Sequence, residues 1–382
     1  MSTEIYNKMW IDETEWLLMT KKVVSVVGVR PNFVKLAALS DFLDNNYDHI
    51  IIHTGQHYDF ELSAMFFKCL KLPPPRYNLD VESGTHGYQL GEMIKRIEEV
   101  LLKEKPKLVI VYGDANSTAA GALAAVKLHV RVAHVEAGYR DYDKSLPEEI
   151  NRLVTDHVSD LLFAPTKTTV DNLKRENIQG KIHLTGDVMV DVLINYKDVA
   201  DCKSKILDIL GIHPQKYVLV TFHREGNTEN RKRISRIVQA LNRLSHEFTL
   251  VFPMHPRTKK ALERFGLYDK LANSDNIRIT SPLNYLDFVK LEKNAWKIIT
   301  DSGGVQKEAY VFGVPCVTLL DSTGCIETVQ EGWNQLVDAN VQRIIASMKT
   351  FNQGSNSPRI SLGKGDAAIK ISKLIASYLR SL

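Results

Sequence analysis

From residue 22 onward, short β-branched apolar runs alternate with longer stretches whose apolar positions return every three or four residues. The runs fall at 23–27, 50–52, 108–112, 130–135 and 161–163. They have the length and composition of strands buried on both faces. The clearest helical stretch is 88–104, where Leu90, Met93, Ile94, Ile97, Val100 and Leu101 keep helical spacing and Lys95, Arg96, Glu98 and Glu99 fall elsewhere. Such alternation predicts a parallel sheet with helices on both faces. It then restarts, with a second set of strands at 217–221, 248–252, 277–280, 297–300 and 316–319. The expected fold class is α/β: two Rossmann-like doubly wound domains facing a central cleft. A segment 1–20 precedes an N-terminal domain of 21–190. The second domain spans 191–365, with a Ser-, Gly- and Asn-rich loop at 352–365, and 366–382 reads as a last helix.

Composition narrows the partners. A chain of 382 residues exceeds the usual single domain, and 44% hydrophobic residues can fill two cores. The net charge of +4 is small and dispersed, so no nucleic-acid partner is expected. Cys69, Cys202, Cys316 and Cys325 stand far apart, which fits neither a disulfide framework nor a zinc site and suits a reducing, cytoplasmic compartment. No apolar run approaches the ~20 residues that span a bilayer. Residues 1–20 contain Asp12, Glu13 and Glu15 and lack the apolar core of a secretory signal.

In open parallel sheets, ligands bind beyond the carboxyl ends of the strands, and polar clusters stand at those places. In the first half they are Gly28-Val29-Arg30-Pro31, Thr54-Gly55-Gln56-His57, Gly113-Asp114 and His134-Val135-Glu136-Ala137-Gly138. In the second they are Phe222-His223-Arg224-Glu225, Met254-His255-Pro256 and Asp301-Ser302-Gly303-Gly304. The last is the best phosphate candidate: a strand ends, Ser302 can cap, and Gly303 and Gly304 let backbone N–H groups approach an anion at a helix N-terminus. A tight strand-to-helix turn without a ligand fits the same residues. No P-loop lysine follows the glycines, and GxGxxG is absent from the first turn, so neither a nucleoside triphosphate nor a dinucleotide cofactor is indicated. Arg30 and Lys35 open the first helix, with Pro31 in its first turn, and can reach an anion or simply face solvent.

Asp114 and Glu136 each follow an apolar strand, and Glu148 and Glu149 begin a helix after Pro147, where acids also complement the helix dipole. Carboxylates opposite a basic second domain that bears His223 suggest proton transfer. No HxH, HExxH or DxD arrangement implies a metal.

The motifs Gly28-Val29-Arg30-Pro31-Asn32-Phe33-Val34-Lys35, Gly113-Asp114, His134-Val135-Glu136-Ala137-Gly138, Pro147-Glu148-Glu149-Ile150-Asn151-Arg152, His223-Arg224 and Asp301-Ser302-Gly303-Gly304-Val305-Gln306-Lys307-Glu308-Ala309 form a specific set. From about residue 23 to about residue 337 the chain resembles, in order and spacing, the non-hydrolysing UDP-N-acetylglucosamine 2-epimerases. The resemblance implies a glycosyltransferase-B-like fold, UDP held mainly by the second domain, and a last helix crossing back to the first. It implies inversion at C2 of the sugar through elimination of UDP to a glycal and readdition, yielding UDP-N-acetylmannosamine without a cofactor. Asp114, Glu136 and Glu148 then correspond to the acid/base carboxylates, and His223 to the residue aiding UDP departure and return. Arg30 and Lys35 become cleft cations, Ser302, Gly303 and Gly304 the diphosphate site, Glu308 a ribose contact and Phe288 a uracil-side contact. A homodimer is implied as well.

The chain also departs from the family. Leu320 stands where these epimerases commonly carry Arg, and Gly324-Cys325 replace a Glu-Arg or Glu-Trp pair in a loop that borders the diphosphate and sugar. Gln56-His57-Tyr58-Asp59 differs from the Gln-His-Arg-Glu run of members activated by their own substrate, so no such activation is expected. The altered loop motivates an alternative sugar, such as a 2,3-diacetamido uronate. A hydrolysing epimerase is disfavoured by Arg30-Pro31-Asn32, since those enzymes usually carry Arg-Ala-Asp there. A non-catalytic UDP-sugar binder is disfavoured by retention of Asp114, Glu136, Glu148 and His223, and an ordinary glycosyltransferase does not need the acidic trio.

Overall fold

A computed structural model describes residues 21–55, 60–81, 84–352 and 360–382. Segment 1–20, the run Gln56-His57-Tyr58-Asp59 and residues 353–359 of the expected loop lie outside the described residues. The chain divides into two compact units, Met1–Val192 with Gly363–Leu382, and Leu193–Leu362.

The first unit holds strands β1 (Lys22–Val27), β2 (Asp48–His53), β3 (Tyr77–Asn78), β4 (Leu108–Tyr112), β5 (Arg131–Val135), β6 (Leu161–Ala164) and β7 (Lys181–Leu184). They form one parallel sheet in the order β3-β2-β1-β4-β5-β6-β7. Because β1 to β4 are joined by helical crossovers, the central strands are covered on both faces, and β4 (LVIVY) is buried at every position. Val24, Val26, Val109 and Val111 pack with Met93 and Ile97 of the helix His86–Glu104 and with Ala120 and Ala124 of the helix Asn116–Lys127. That second helix reads GALAA because it lies almost on the sheet. A Cβ on Gly121 would stand 2.9 Å from Val111 Cγ1 and 3.1 Å from Val26.

The second unit repeats the scheme with β8 (Tyr217–Thr221), β9 (Thr249–Pro253), β10 (Ile277–Thr280), β11 (Lys297–Thr300), β12 (Cys316–Thr318) and β13 (Asn334–Leu336), ordered β10-β9-β8-β11-β12-β13. Every neighbouring pair is parallel. In both sheets the strand order reverses beside the first strand, between β1 and β4 and between β8 and β11. These switch points are where an open sheet leaves a crevice beyond its carboxyl ends.

The last helix, Ala367–Arg380, belongs to the first unit. It buries Ile371, Ile375 and Leu379 and packs on the helix Arg30–Asn46. Its first-turn N–H groups need acceptors, and Asp191 supplies them to Ala367 at 3.3 Å and Ala368 at 2.8 Å. No helix among the described residues is long and apolar enough to cross a membrane.

Candidate active site

At the first switch point the helix Arg30–Asn46 starts directly after β1, with Pro31 in its first turn. Asn32 Oδ1 accepts from the backbone N–H of Gly28 and Val29 at 3.2 and 3.3 Å, which satisfies the helix start. Its Nδ2 donates to Tyr112 O at 2.7 Å and so ties the turn to the end of β4. One turn on, Lys35 is buried and its Nζ forms an ion pair with Glu136 Oε2. Glu136 follows β5 with φ of 76°, a left-handed conformation that costs a side-chain-bearing residue about 1–2 kcal/mol. Hydrogen bonds from Glu136 N and Ala137 N to Phe163 O, at 3.2 and 3.1 Å, hold it there. Gly113 must be glycine at the end of β4: a Cβ on it would stand 2.5 Å from Lys35 Nζ and 3.0 Å from Glu136 Oε2.

The next residue, Asp114, receives Arg152 through Nη2 at 2.7 Å and Nε at 3.0 Å, both on Oδ2. Arg152 is buried and also binds Asp141 at 2.6 Å and Glu149 at 3.0 Å. The Asp114 side chain nevertheless keeps 36% of its surface exposed, so an anchored carboxylate stays within reach of a ligand. Of the two acids that follow Pro147, Glu149 is the buried one. It accepts from the N–H groups of Asp141 and Tyr142 at 3.0 and 3.1 Å and fixes that turn. Glu148 is exposed on the first turn of the helix Pro147–Val158. Arg30 is half-buried, its guanidinium 6.0 Å from the centre of the Phe66 ring.

Behind these loops runs a buried ionic chain. His134 Nδ1 meets Asp156 Oδ1 at 2.6 Å, and its Nε2 reaches Gly113 O at 2.7 Å. Asp156 Oδ2 accepts from Gly138 N at 3.1 Å and pairs with Arg140 at 2.7 Å, while Arg140 grips Glu176 through Nε at 2.8 Å and Nη2 at 2.6 Å. Burial alone would raise the Asp156 carboxyl, but His134 and Arg140 hold it below the usual carboxylate range. One carboxylate therefore fixes both loops that present Asp114 and Glu136.

At the second switch point, Asp301 plays the corresponding part. It is fully buried after β11 and accepts from His223 N at 3.0 and 3.1 Å, from Arg224 N at 3.0 Å and from Asn227 Nδ2 at 3.0 Å. His223 itself is 37% exposed and stacks on His255, ring centres 5.0 Å apart. The helix Gly303–Phe312 follows at once. Ser302 caps it through Oγ to Val305 N at 3.5 Å, and the first turn has no acidic residue. Arg224 Nη2 lies 3.9 Å from where a Cβ on Gly303 would stand, so a guanidinium joins the positive end of the helix dipole. Glu308 is buried five residues further along this helix, and Phe288 is half-buried on the helix Tyr285–Asn294.

The departing loop folds onto the start of the same helix. Thr323 Oγ1 donates to Gln306 Oε1 at 2.7 Å, and Cys325 Sγ lies 3.8 Å from Gly303 O. The structure thus groups Lys35, Glu136 and Asp114 in one unit and His223, Ser302, Gly303 and Gly304 in the other. The sequence pattern alone does not single out the buried ion partners Arg152, Asp156 and Asp301, nor Arg224 as a site cation. Arg152, Arg224 and Asp301 lie inside the motifs that carry the family resemblance, and a charged residue beside a buried strand is the signal that points to them.

A family model described as UDP-N-acetylglucosamine 2-epimerase matches residues 42–376. A Methanococcus maripaludis protein named UDP-N-acetylglucosamine 2-epimerase homolog is 50% identical, covering 93% of this chain and 99% of that protein. UDP-2,3-diacetamido-2,3-dideoxy-D-glucuronate 2-epimerase of Pseudomonas aeruginosa is 42% identical over the same shares of the two chains, 93% and 99%. Among solved structures, the Methanocaldococcus jannaschii UDP-GlcNAc 2-epimerase in complex with UDP-GlcNAc and UDP superposes with a TM-score of 0.88 at 42% identity, covering 93% of this chain and 99% of that one. With two doubly wound parallel-sheet units, strand-end carboxylates in one and a capped glycine turn in the other, the chain belongs to the UDP-N-acetylglucosamine 2-epimerase family.

Proposed function

We propose that this chain interconverts UDP-N-acetylglucosamine and UDP-N-acetylmannosamine without hydrolysing either. The carrying observation is a pair of carboxylates held by different cations at the ends of adjacent strands: Asp114 on Arg152 after β4, Glu136 on Lys35 after β5. Inverting a carbon by proton transfer requires a proton to leave one face and return to the other, so two carriers are needed. A carboxylate takes the C2 proton, the C2–H electrons become the C1=C2 double bond, and the C1–O bond breaks with its pair going to UDP. In readdition a diphosphate oxygen rejoins C1 and a carboxylic acid returns a proton to the opposite face of C2. Glu148 joins the carboxylates in this reading, and Arg30 is a further cation.

The leaving group develops charge on the diphosphate. Supporting its stabilisation are the N-terminal turn at Ser302, Gly303 and Gly304, the adjacent Arg224, and exposed His223. Glu308 serves as acceptor for the ribose hydroxyls and Phe288 as the uracil-side contact.

Product analysis tests the reaction. Purified protein with UDP-N-acetylglucosamine is expected to yield UDP-N-acetylmannosamine on anion-exchange chromatography, with no free sugar. Free N-acetylmannosamine accumulating with UDP contradicts the non-hydrolysing reading. A second reading keeps the chemistry and changes the sugar to a 2,3-diacetamido uronate. The altered loop, packed by Thr323 and Cys325 on the helix start, favours considering it. A panel of UDP-sugars separates the two by relative rate. The proposal extends to a cytoplasmic homodimer on the family resemblance alone, and sedimentation at a monomer's mass contradicts the dimer.

A further inference from the structure

The helix Tyr285–Asn294 carries a carboxyl that the mechanism leaves unused. Glu292 is fully buried, and neither of its oxygens meets an N–H or hydroxyl donor among the described residues. It sits beside Leu291 and Ala295, which belong to an apolar cluster with Val305, Ala309 and Cys316. A bare carboxylate in such a place is strongly disfavoured, because it gives up its hydration without gaining a donor. Its polar partner is another carboxyl, that of Glu308, presented by the helix Gly303–Phe312 that packs on its own. Two carboxylates cannot hydrogen-bond, because each offers only acceptors; one must keep a proton. Burial first, then the neighbouring Glu308 charge, pushes the Glu292 carboxyl well above the usual range, so the proton belongs there. Cys316 and Tyr217, which also interact with Glu292, are kept protonated by burial, and neither is a cation.

We propose that Glu292 is a positioning residue for nucleotide recognition: its O–H donates to Glu308 and fixes the carboxylate that accepts the ribose hydroxyls. This rests on the reading of Glu308 as the ribose contact. The arrangement does two things. It locks one Glu308 oxygen and orients the other, so less side-chain freedom is lost on binding. It also leaves one negative charge rather than two near a site that must take an anionic diphosphate. Glu292 lies one helical turn beyond Phe288 on the same face, so the base-side contact and the support for the ribose contact share one rigid element.

The test is calorimetric binding of UDP and 2′-deoxy-UDP to the full-length protein and its Glu292→Gln, Glu292→Met and Glu308→Ala variants. The native protein is expected to favour UDP by roughly 10-fold to 100-fold, the value of a hydrogen bond to a charged acceptor. Gln keeps a neutral donor of the same length and should retain that preference. Met fills the space without donating, and the preference should fall to within ~3-fold while kcat at saturating substrate stays near native. Exchanging a buried polar group for an apolar one of like shape is well tolerated, and Glu292→Leu is the substitute should the Met protein fail to fold. A Met or Leu variant that keeps the preference overturns the proposal, as does a Gln variant that loses it as fully as Met. If the native protein shows no preference and Glu308→Ala binds UDP normally, the ribose reading itself fails and takes this inference with it.

Discussion

Asp114→Asn is expected to slow exchange of the C2 proton by ~10²-fold or more while leaving the fold intact. The side chain keeps its shape but can no longer take a proton at the working pH. Arg152 loses one anionic partner and retains Asp141 at 2.6 Å and Glu149 at 3.0 Å, so its buried charge stays compensated. The variant should therefore bind UDP-sugar and unfold near the native temperature, with the loss confined to kcat. A rate within a few-fold of native removes Asp114 from the chemistry. A large fall in thermal midpoint would instead make it chiefly the anchor of Arg152.

Asp156→Ala should do the reverse, damaging the fold first. Its carboxylate compensates His134 and Arg140, whose side chains have no exposed surface, and accepts from the Gly138 N–H. Removing one partner from a buried charged set costs about 3–5 kcal/mol. For a unit of this size that corresponds to roughly 6–20 °C in midpoint, measurable by calorimetry. A shift under ~2 °C would show that the network contributes little. The same carboxyl gives an acid limb. Its native pKa is depressed, so its contribution is complete above the ordinary aspartate value of about 4 and is lost as pH falls through the lower native value. Asp156→Ala should flatten that part of the native stability–pH curve.

The sheets were legible where strands are buried on both faces. β1, β4, β8 and β11 are buried at nearly every position and built around Val, Ile and Leu, which is the pattern that alternation detects. The strands β3, β7 and β13 are not legible because they lie at sheet edges, are short, and contain polar residues that are exposed, such as Lys181 and Gln335, or half-buried, such as His183. Helix starts were readable from Pro31 and Pro147, since proline fits the first turn and little else in a helix.

For the site, chemistry at strand ends could be read, but not which groups neutralise one another. Asp114 and Arg152 are distant in sequence, and the adjacent Glu148 and Glu149 differ only in which faces inward: Glu149 is buried on Arg152 and Glu148 exposed. Glu292 was invisible for a related reason. A lone acid on an amphipathic helix reads as a solvated face until the packing partner is known.

Proton NMR of UDP-N-acetylglucosamine with the purified protein in deuterium oxide tests the central claim most directly. If strand-end carboxylates move the C2 proton through elimination and readdition, deuterium enters C2 and the signals of UDP-N-acetylmannosamine grow in. A C2 proton that remains undiluted by deuterium under saturating substrate, whether or not the nucleotide binds, contradicts the account.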